Sequence, residues 1–114
     1  VDELVCSGDF TVPAGSAFAQ VAAYGHRLGA QVVAQTHGAE AVEVSVDGRT
    51  TRIPVPSVPV VDTLGAGDVL HGAYAFHRAD GCDVADAVEQ AVRVASFRCR
   101  FVGSRSWLGA WPHA

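Results

Sequence analysis

Changes in the spacing of apolar residues divide the chain into successive elements. Residues 2–6, Asp-Glu-Leu-Val-Cys, form a short apolar run that reads as a buried strand and ends on a turn at Ser7-Gly8-Asp9. Residues 13–29 carry a helical repeat, with Phe18, Val21, Ala22, Gly25 and Leu28 on one face. Gly29 suits the residue just past the helix end, and His26 and Arg27 complement its negative pole; the apolar face is expected to pack on a sheet and His26 to lie at the surface. Residues 31–36, Gln-Val-Val-Ala-Gln-Thr, read as a second strand. A helix followed by a strand at this spacing is the crossover unit of a parallel sheet, beyond whose carboxyl strand ends ligands sit. Val42, Val44 and Val46 then alternate with Glu43 and Ser45 as a half-buried strand. Asp47-Gly48 predicts a hairpin turn and residues 49–55 its second arm, giving a hairpin beside the other strands.

Pro54, Pro56 and Pro59 end regular pairing, and Val58, Val60 and Val61 form a strand-like lead into Asp62-Thr63-Leu64-Gly65-Ala66-Gly67-Asp68. A helix follows over residues 69–79, apolar nearly all round and therefore expected to be mostly buried. Asp80-Gly81-Cys82 closes it, and Asp83 caps the next helix, with Asp86 three positions on. In that helix Val84, Val88, Ala91, Val92, Ala95 and Cys99 face a core, while Asp86, Glu89, Gln90 and Arg93 face water. Trp107 and Trp111 are spaced to dock a C-terminal segment on the core.

Composition narrows the function classes. The chain has 114 residues, at most one domain, and 49% of them are hydrophobic, which indicates a folded piece. A net charge of −4, with the arginines scattered, argues against a nucleic-acid partner. Cys6, Cys82 and Cys99 have no Cys-x-x-Cys spacing and read as reduced, mostly buried thiols of a cytoplasmic protein. No apolar run approaches the length of a membrane span. The chain has no Met, Lys or Asn, and Val1 is expected to be either a processed or non-standard start or the cut end of something longer.

The chemistry gathers at residues 62–68. A strand, a glycine-bearing turn and a new helix bring several backbone N–H groups to one point, where the aligned peptide dipoles favour an anion. Gly65 and Gly67 allow close backbone approach. A carboxylate beside an anion hole suits proton removal from a hydroxyl that attacks a bound phosphate, the role open to Asp68. No Lys follows the glycines, so this is not a Walker A loop. His71, on the same helical face, either modulates Asp68, touches a phosphate or packs, and packing is the simpler role. Asp9 reads as a solvated turn residue, and no zinc set is present.

Val60-Val61-Asp62-Thr63-Leu64-Gly65-Ala66-Gly67-Asp68 resembles the C-terminal signature of the ribokinase-like (PfkB-type) carbohydrate kinases, most of all that of ketohexokinase-like members. The resemblance implies a three-layer α/β/α sandwich, of which residues 1–114 would be the C-terminal, ATP-binding and catalytic part, the N-terminal sugar-binding part being absent. It implies ATP-dependent phosphorylation of a sugar hydroxyl, with Asp68 as general base and the amides around Gly65, Ala66 and Gly67 as the anion hole. Thr36 and Gly38 match the outline of a nucleotide loop, with His37 replacing an apolar residue. Ala95 and Cys99 would border the adenine, and Val102-Gly103-Ser104 matches the loop that closes the nucleotide site. Asp62 would help to hold a monovalent cation such as K+. Mg2+ is implied as well, although the family's Asn-x-x-Glu motif is not in this chain. Partners would be the sugar and ATP, together with the missing N-terminal half or a second copy in a homodimer. A non-catalytic nucleotide- or partner-binding remnant and a nucleoside kinase are the alternative readings.

Overall fold

The computed structural model describes residues 2–103 and 105–112, which divide into two units, one ending at Pro54 and the other beginning at Val55. In the first unit, β1 (Glu3–Cys6), α1 (Phe18–Arg27) and β2 (Val32–Gln35) form the expected crossover, with β1 and β2 parallel and Cys6 opposite Gln35. The hairpin β3 (Val42–Val46) and β4 (Arg49–Ile53) lies beside this pair as expected and continues the same sheet, β3 running antiparallel to β2, so the strand order is β1-β2-β3-β4. Asp47 and Gly48 both have positive φ, 51° and 76°, the turn whose twist matches the flanking strands.

The apolar face of α1 covers this sheet. Phe18, Val21 and Ala22 join Cys6, Val12, Ala30 and Val33 in one cluster, while Leu28, predicted on the same face, is exposed. The helix begins later than its repeat suggested. Val12 and Gly15 exchange two backbone hydrogen bonds of 3.0 and 2.9 Å around Pro13, closing a tight turn where helix was expected. Gln20 ties that turn to the helix by accepting from Ala17 N and donating to Ala14 O. His26, expected at the surface, is half-buried. Its Nδ1 lies 2.8 Å from Ala30 O, which can only accept, so in the neutral ring Nε2 accepts from the Ser45 hydroxyl at 2.9 Å. The ring thus links α1 to β3, and Ser45 is buried rather than solvent-facing.

In the second unit α2 (Ala66–Ala79) packs on α3 (Val84–Arg98). Asp83 caps α3 by accepting from Asp86 N at 2.8 Å, as its sequence predicts. Ala87, Val88, Ala91, Val92 and Ala95 form the buried face, small side chains that allow close helix packing. On α2 only Leu70 and Tyr74 are buried, and Phe76 is 64% exposed, so this helix is not enclosed all round. Residues 55–60 are irregular and Val60 and Val61 are exposed; the strand expected ahead of the motif is not formed. Instead the amides of Val61 and Asp62 both donate to Cys99 O, at 2.7 and 3.1 Å. Beyond α3, Trp107 is buried and Trp111 meets Phe97 edge-on at 5.0 Å, docking the C-terminal segment on the helix.

Candidate active site

Gly65 sets the geometry of the motif. It stands at φ 74°, a left-handed conformation that costs other residues, and it turns the chain directly into α2. The helix therefore starts at Ala66, and Gly67 and Asp68 occupy its first turn instead of preceding it. Ala66 N–H folds back to Thr63 O at 3.0 Å, and Val69 N–H opens the helical ladder at Gly65 O, also 3.0 Å. Between these two, the amides of Gly67 and Asp68 have no hydrogen-bond acceptor among the described residues. Gly67 and Asp68 are both exposed, and a methyl group built on Gly67 would meet nothing within 4 Å. The Asp68 side chain is exposed beside these amides. His71 is exposed too, not packed, and its Nδ1 donates to Gly67 O at 2.7 Å.

Asp62 fastens the turn from the other side. Its Oδ1 accepts from Leu64 N at 2.9 Å and its Oδ2 from Gly103 N at 2.8 Å, which joins the motif to the loop after α3. The Leu64 amide, then the Gly103 amide, hold this carboxyl below its ordinary range against the opposing effect of desolvation, and the neighbouring Arg98 charge adds a smaller lowering. Arg98 is wholly buried. Its guanidinium donates from Nε to Leu64 O at 2.5 Å and from Nη1 to Asp62 O at 2.9 Å and Phe101 O at 3.1 Å. Its Nη2 stands 3.8 Å from Asp62 Oδ2. The sequence reading passed over Arg98, although it continues the Ala91, Ala95 spacing of the buried face and could have been found on that ground.

Of the residues assigned to the nucleotide, Gly103 lies in this network, whereas Ser104 lies outside the described residues. Ala95 and Cys99 are buried, and burial pushes the Cys99 thiol up from its ordinary pKa. Cys99 enters the site through its carbonyl, on which the chain entering the motif is hung. Thr36 and Gly38 belong to the first unit, in the loop that leaves the carboxyl end of β2. Gly8, in the neighbouring loop after β1, lies so near that a methyl group there would be 2.8 Å from Thr36 O. Gln35 is fully buried and donates to Ser7 O at 3.0 Å and Phe10 O at 3.4 Å, bracing the β1 loop. His37 Nε2 pairs with Glu43 Oε1 at 2.9 Å, tying the Thr36–Gly38 turn to β3.

The fit to metal ions follows from these contacts. The described residues contain no group of three or more His, Cys, Asp or Glu, so they offer no metal site built from side chains alone. An alkali ion at Asp62 does not fit either, because both carboxylate oxygens accept N–H bonds and a guanidinium stands beside them.

The description "pfkB family carbohydrate kinase" matches residues 9–108. The chain belongs to this family. Among its curated relatives, the ribokinase of Lactococcus lactis is 41% identical over 58 residues, covering 50% of this chain and 19% of that protein. The fructosamine kinase of Bacillus subtilis is 28% identical over 85 residues, 75% of this chain and 30% of the relative. Aminoimidazole riboside kinase from Salmonella enterica superposes with a TM-score of 0.80 at 25% identity, over 95% of this chain and 39% of its own. Fructokinase from Vibrio cholerae superposes with a TM-score of 0.83 at 19% identity, over 95% and 38%. The fold is thus the ribokinase-like α/β fold, and this pfkB-family chain spans less than half the length of each of these relatives. Among the described residues, no helix is long and apolar enough to cross a membrane.

Proposed function

We propose that the intact protein carrying this chain transfers the γ-phosphoryl group of ATP to a sugar hydroxyl, with the turn at Gly65, Ala66 and Gly67 as anion site and Asp68 as general base. The observation that carries this reading is the pair of amides at Gly67 and Asp68, without acceptors among the described residues and on two exposed residues, beside the Asp68 carboxylate. These amides receive the phosphoryl oxygens as charge develops on them, a role that needs fixed donors at a helix N-terminus. Ala66 contributes by closing the turn on Thr63 O, just ahead of the two amides. Asp68, one residue along, takes the hydroxyl proton. Its value lies in position, since the hydroxyl becomes acidic only as it bonds to phosphorus. Thr36, Gly38 and Gly103 contact the nucleotide, and Ala95 and Cys99, with buried side chains, form the wall behind it. The acceptor, the N-terminal part that would select it and a homodimeric partner belong to the same proposal.

In the intact protein, Asp68→Asn is expected to keep ATP affinity within about twofold while turnover falls by roughly two to four orders of magnitude. Calorimetric ATP titration and a coupled ADP-release assay over a panel of sugars measure the two quantities. Near-wild-type turnover in this variant removes Asp68 from the mechanism. Binding of ATP with no acceptor phosphorylated favours the non-catalytic remnant. Ribosides belong in the panel because the Salmonella relative is named for one, and phosphorylation of ribosides alone makes this a nucleoside kinase.

A further inference from the structure

Arg98 is the largest fully buried side chain among the described residues, and its hydrogen-bond acceptors are main-chain oxygen atoms. Leu64 O, Asp62 O and Phe101 O converge on the guanidinium, and the Asp62 carboxylate lies across from Nη2. Converging carbonyl dipoles with a carboxylate beside them repel one another unless a cation stands between them, which is how oxygen cages bind metal ions. Here the cation is covalently part of α3. It is permanently charged, planar and matched to several acceptors at once. Its Nη2 has no hydrogen-bond partner of its own, so it is held there as charge facing Asp62 rather than as a donor. The acceptors come from both sides of the candidate site: the motif turn at Asp62 and Leu64, and the loop after α3 at Phe101.

We propose that Arg98 is the built-in monovalent cation of this site, a positioning residue that fixes the turn carrying Gly67 and Asp68, so that the protein works without a bound alkali ion. The resemblance drawn from the motif had assigned an ion to Asp62; the buried guanidinium takes over that task. Turnover and ATP affinity rest on the kinase reading. Thermal unfolding in the two salts tests the proposal by itself, so a protein that phosphorylates nothing still gives an answer.

The experiment compares the intact protein in KCl and in tetramethylammonium chloride at equal ionic strength, reading melting temperature, ATP affinity and turnover. For the wild type all three are expected to agree between the salts, with affinity and turnover within about twofold. A tenfold or greater gain from K+ overturns the proposal. Arg98→Ala uncovers the oxygen cage. In tetramethylammonium chloride it is expected to lose roughly tenfold or more in ATP affinity, as removal of charge-assisted hydrogen bonds at a buried site would produce. Millimolar K+ or methylguanidinium should restore much of that loss and raise the melting temperature. Loss that neither ion restores, or no loss at all, overturns the proposal. If Arg98→Ala does not fold, Arg98→Lys decides: retained binding with no response to K+ supports a built-in cation. Binding as poor as that of an Arg98→Leu variant, with or without K+, refutes it.

Discussion

Asp62 holds two stretches of chain with one carboxylate, since Leu64 N–H and Gly103 N–H each take an oxygen. These bonds and the Arg98 charge put its folded pKa below the ordinary value of 3.8. A carboxyl depressed in this way adds stability that is complete above its unfolded pKa and is lost as pH falls through the folded one. Asp62→Asn keeps one acceptor oxygen but turns an amide donor toward a backbone N–H or the guanidinium. The variant is therefore expected to be less stable than wild type at neutral pH, with a gap that closes only in acid, below 3.8. Urea midpoints from pH 7 to pH 2 measure it, and a gap that stays constant across this range would contradict the assignment. Arg98 shows why part of this site was hidden in the sequence. Its partners are main-chain carbonyls, two of them more than thirty positions away. No side-chain pattern encodes such acceptors, whereas Gly65 and Asp68 could be read because a turn and a helix start need particular residue types.

At the scale of elements, what was legible was what local chemistry decides. The Asp47-Gly48 hairpin, the Asp83 cap and the apolar face of α3 each depend on neighbours a few residues away, and each is present. The start of α1 was not legible, because the reciprocal Val12–Gly15 bonds compete with helix over residues whose spacing suits either. The strand expected at Val58, Val60 and Val61 needed a partner strand, and its last amide is drawn to Cys99 O instead. Gly25 shows how a pattern can identify a face without its tightness. A methyl group there would sit 2.6 Å from Val33 Cγ2 and 3.1 Å from Leu4 Cδ2, and the β-branched Val33 has little rotamer freedom with which to yield. The Ala propensity gain in a helix, about 1 kcal/mol, is then outweighed by overpacking of about 1–3 kcal/mol. Gly25→Ala is expected to destabilise by about 1 kcal/mol net. Gly72 in α2 has open space around it, and there the same change should stabilise by about 0.5–1 kcal/mol. Urea unfolding of the two variants tests the contrast; stabilisation by both would mean that α1 does not press on the sheet as described.

At the scale of the molecule, the chain is two units, each with its own buried residues, joined where three prolines interrupt eight residues of irregular backbone. Pro54, Pro56 and Pro59 favour extended backbone and cannot donate to a ladder, so neither unit can recruit this stretch into regular structure. The pairing of loops after β1 and β2 belongs to one unit, and the Asp62–Arg98–Gly103 network with the Asp68 turn belongs to the other. Proteolysis follows exposed backbone without regular hydrogen bonding. Bonds that precede or follow proline resist most proteases, which leaves Ser57–Val58 and Val60–Val61 as the candidates in the joint. Brief treatment of the intact native protein with subtilisin is therefore expected to cut this region first at one of these two bonds. Mass spectrometry should then find β1 to β4 on one side of the cut and α2 with α3 on the other, each persisting longer than the uncut chain. First cleavage within β2 or α3 would contradict the two-unit division. Cleavage at Leu64–Gly65 before the joint would show instead that the Asp62 and Arg98 contacts do not hold the motif turn in place.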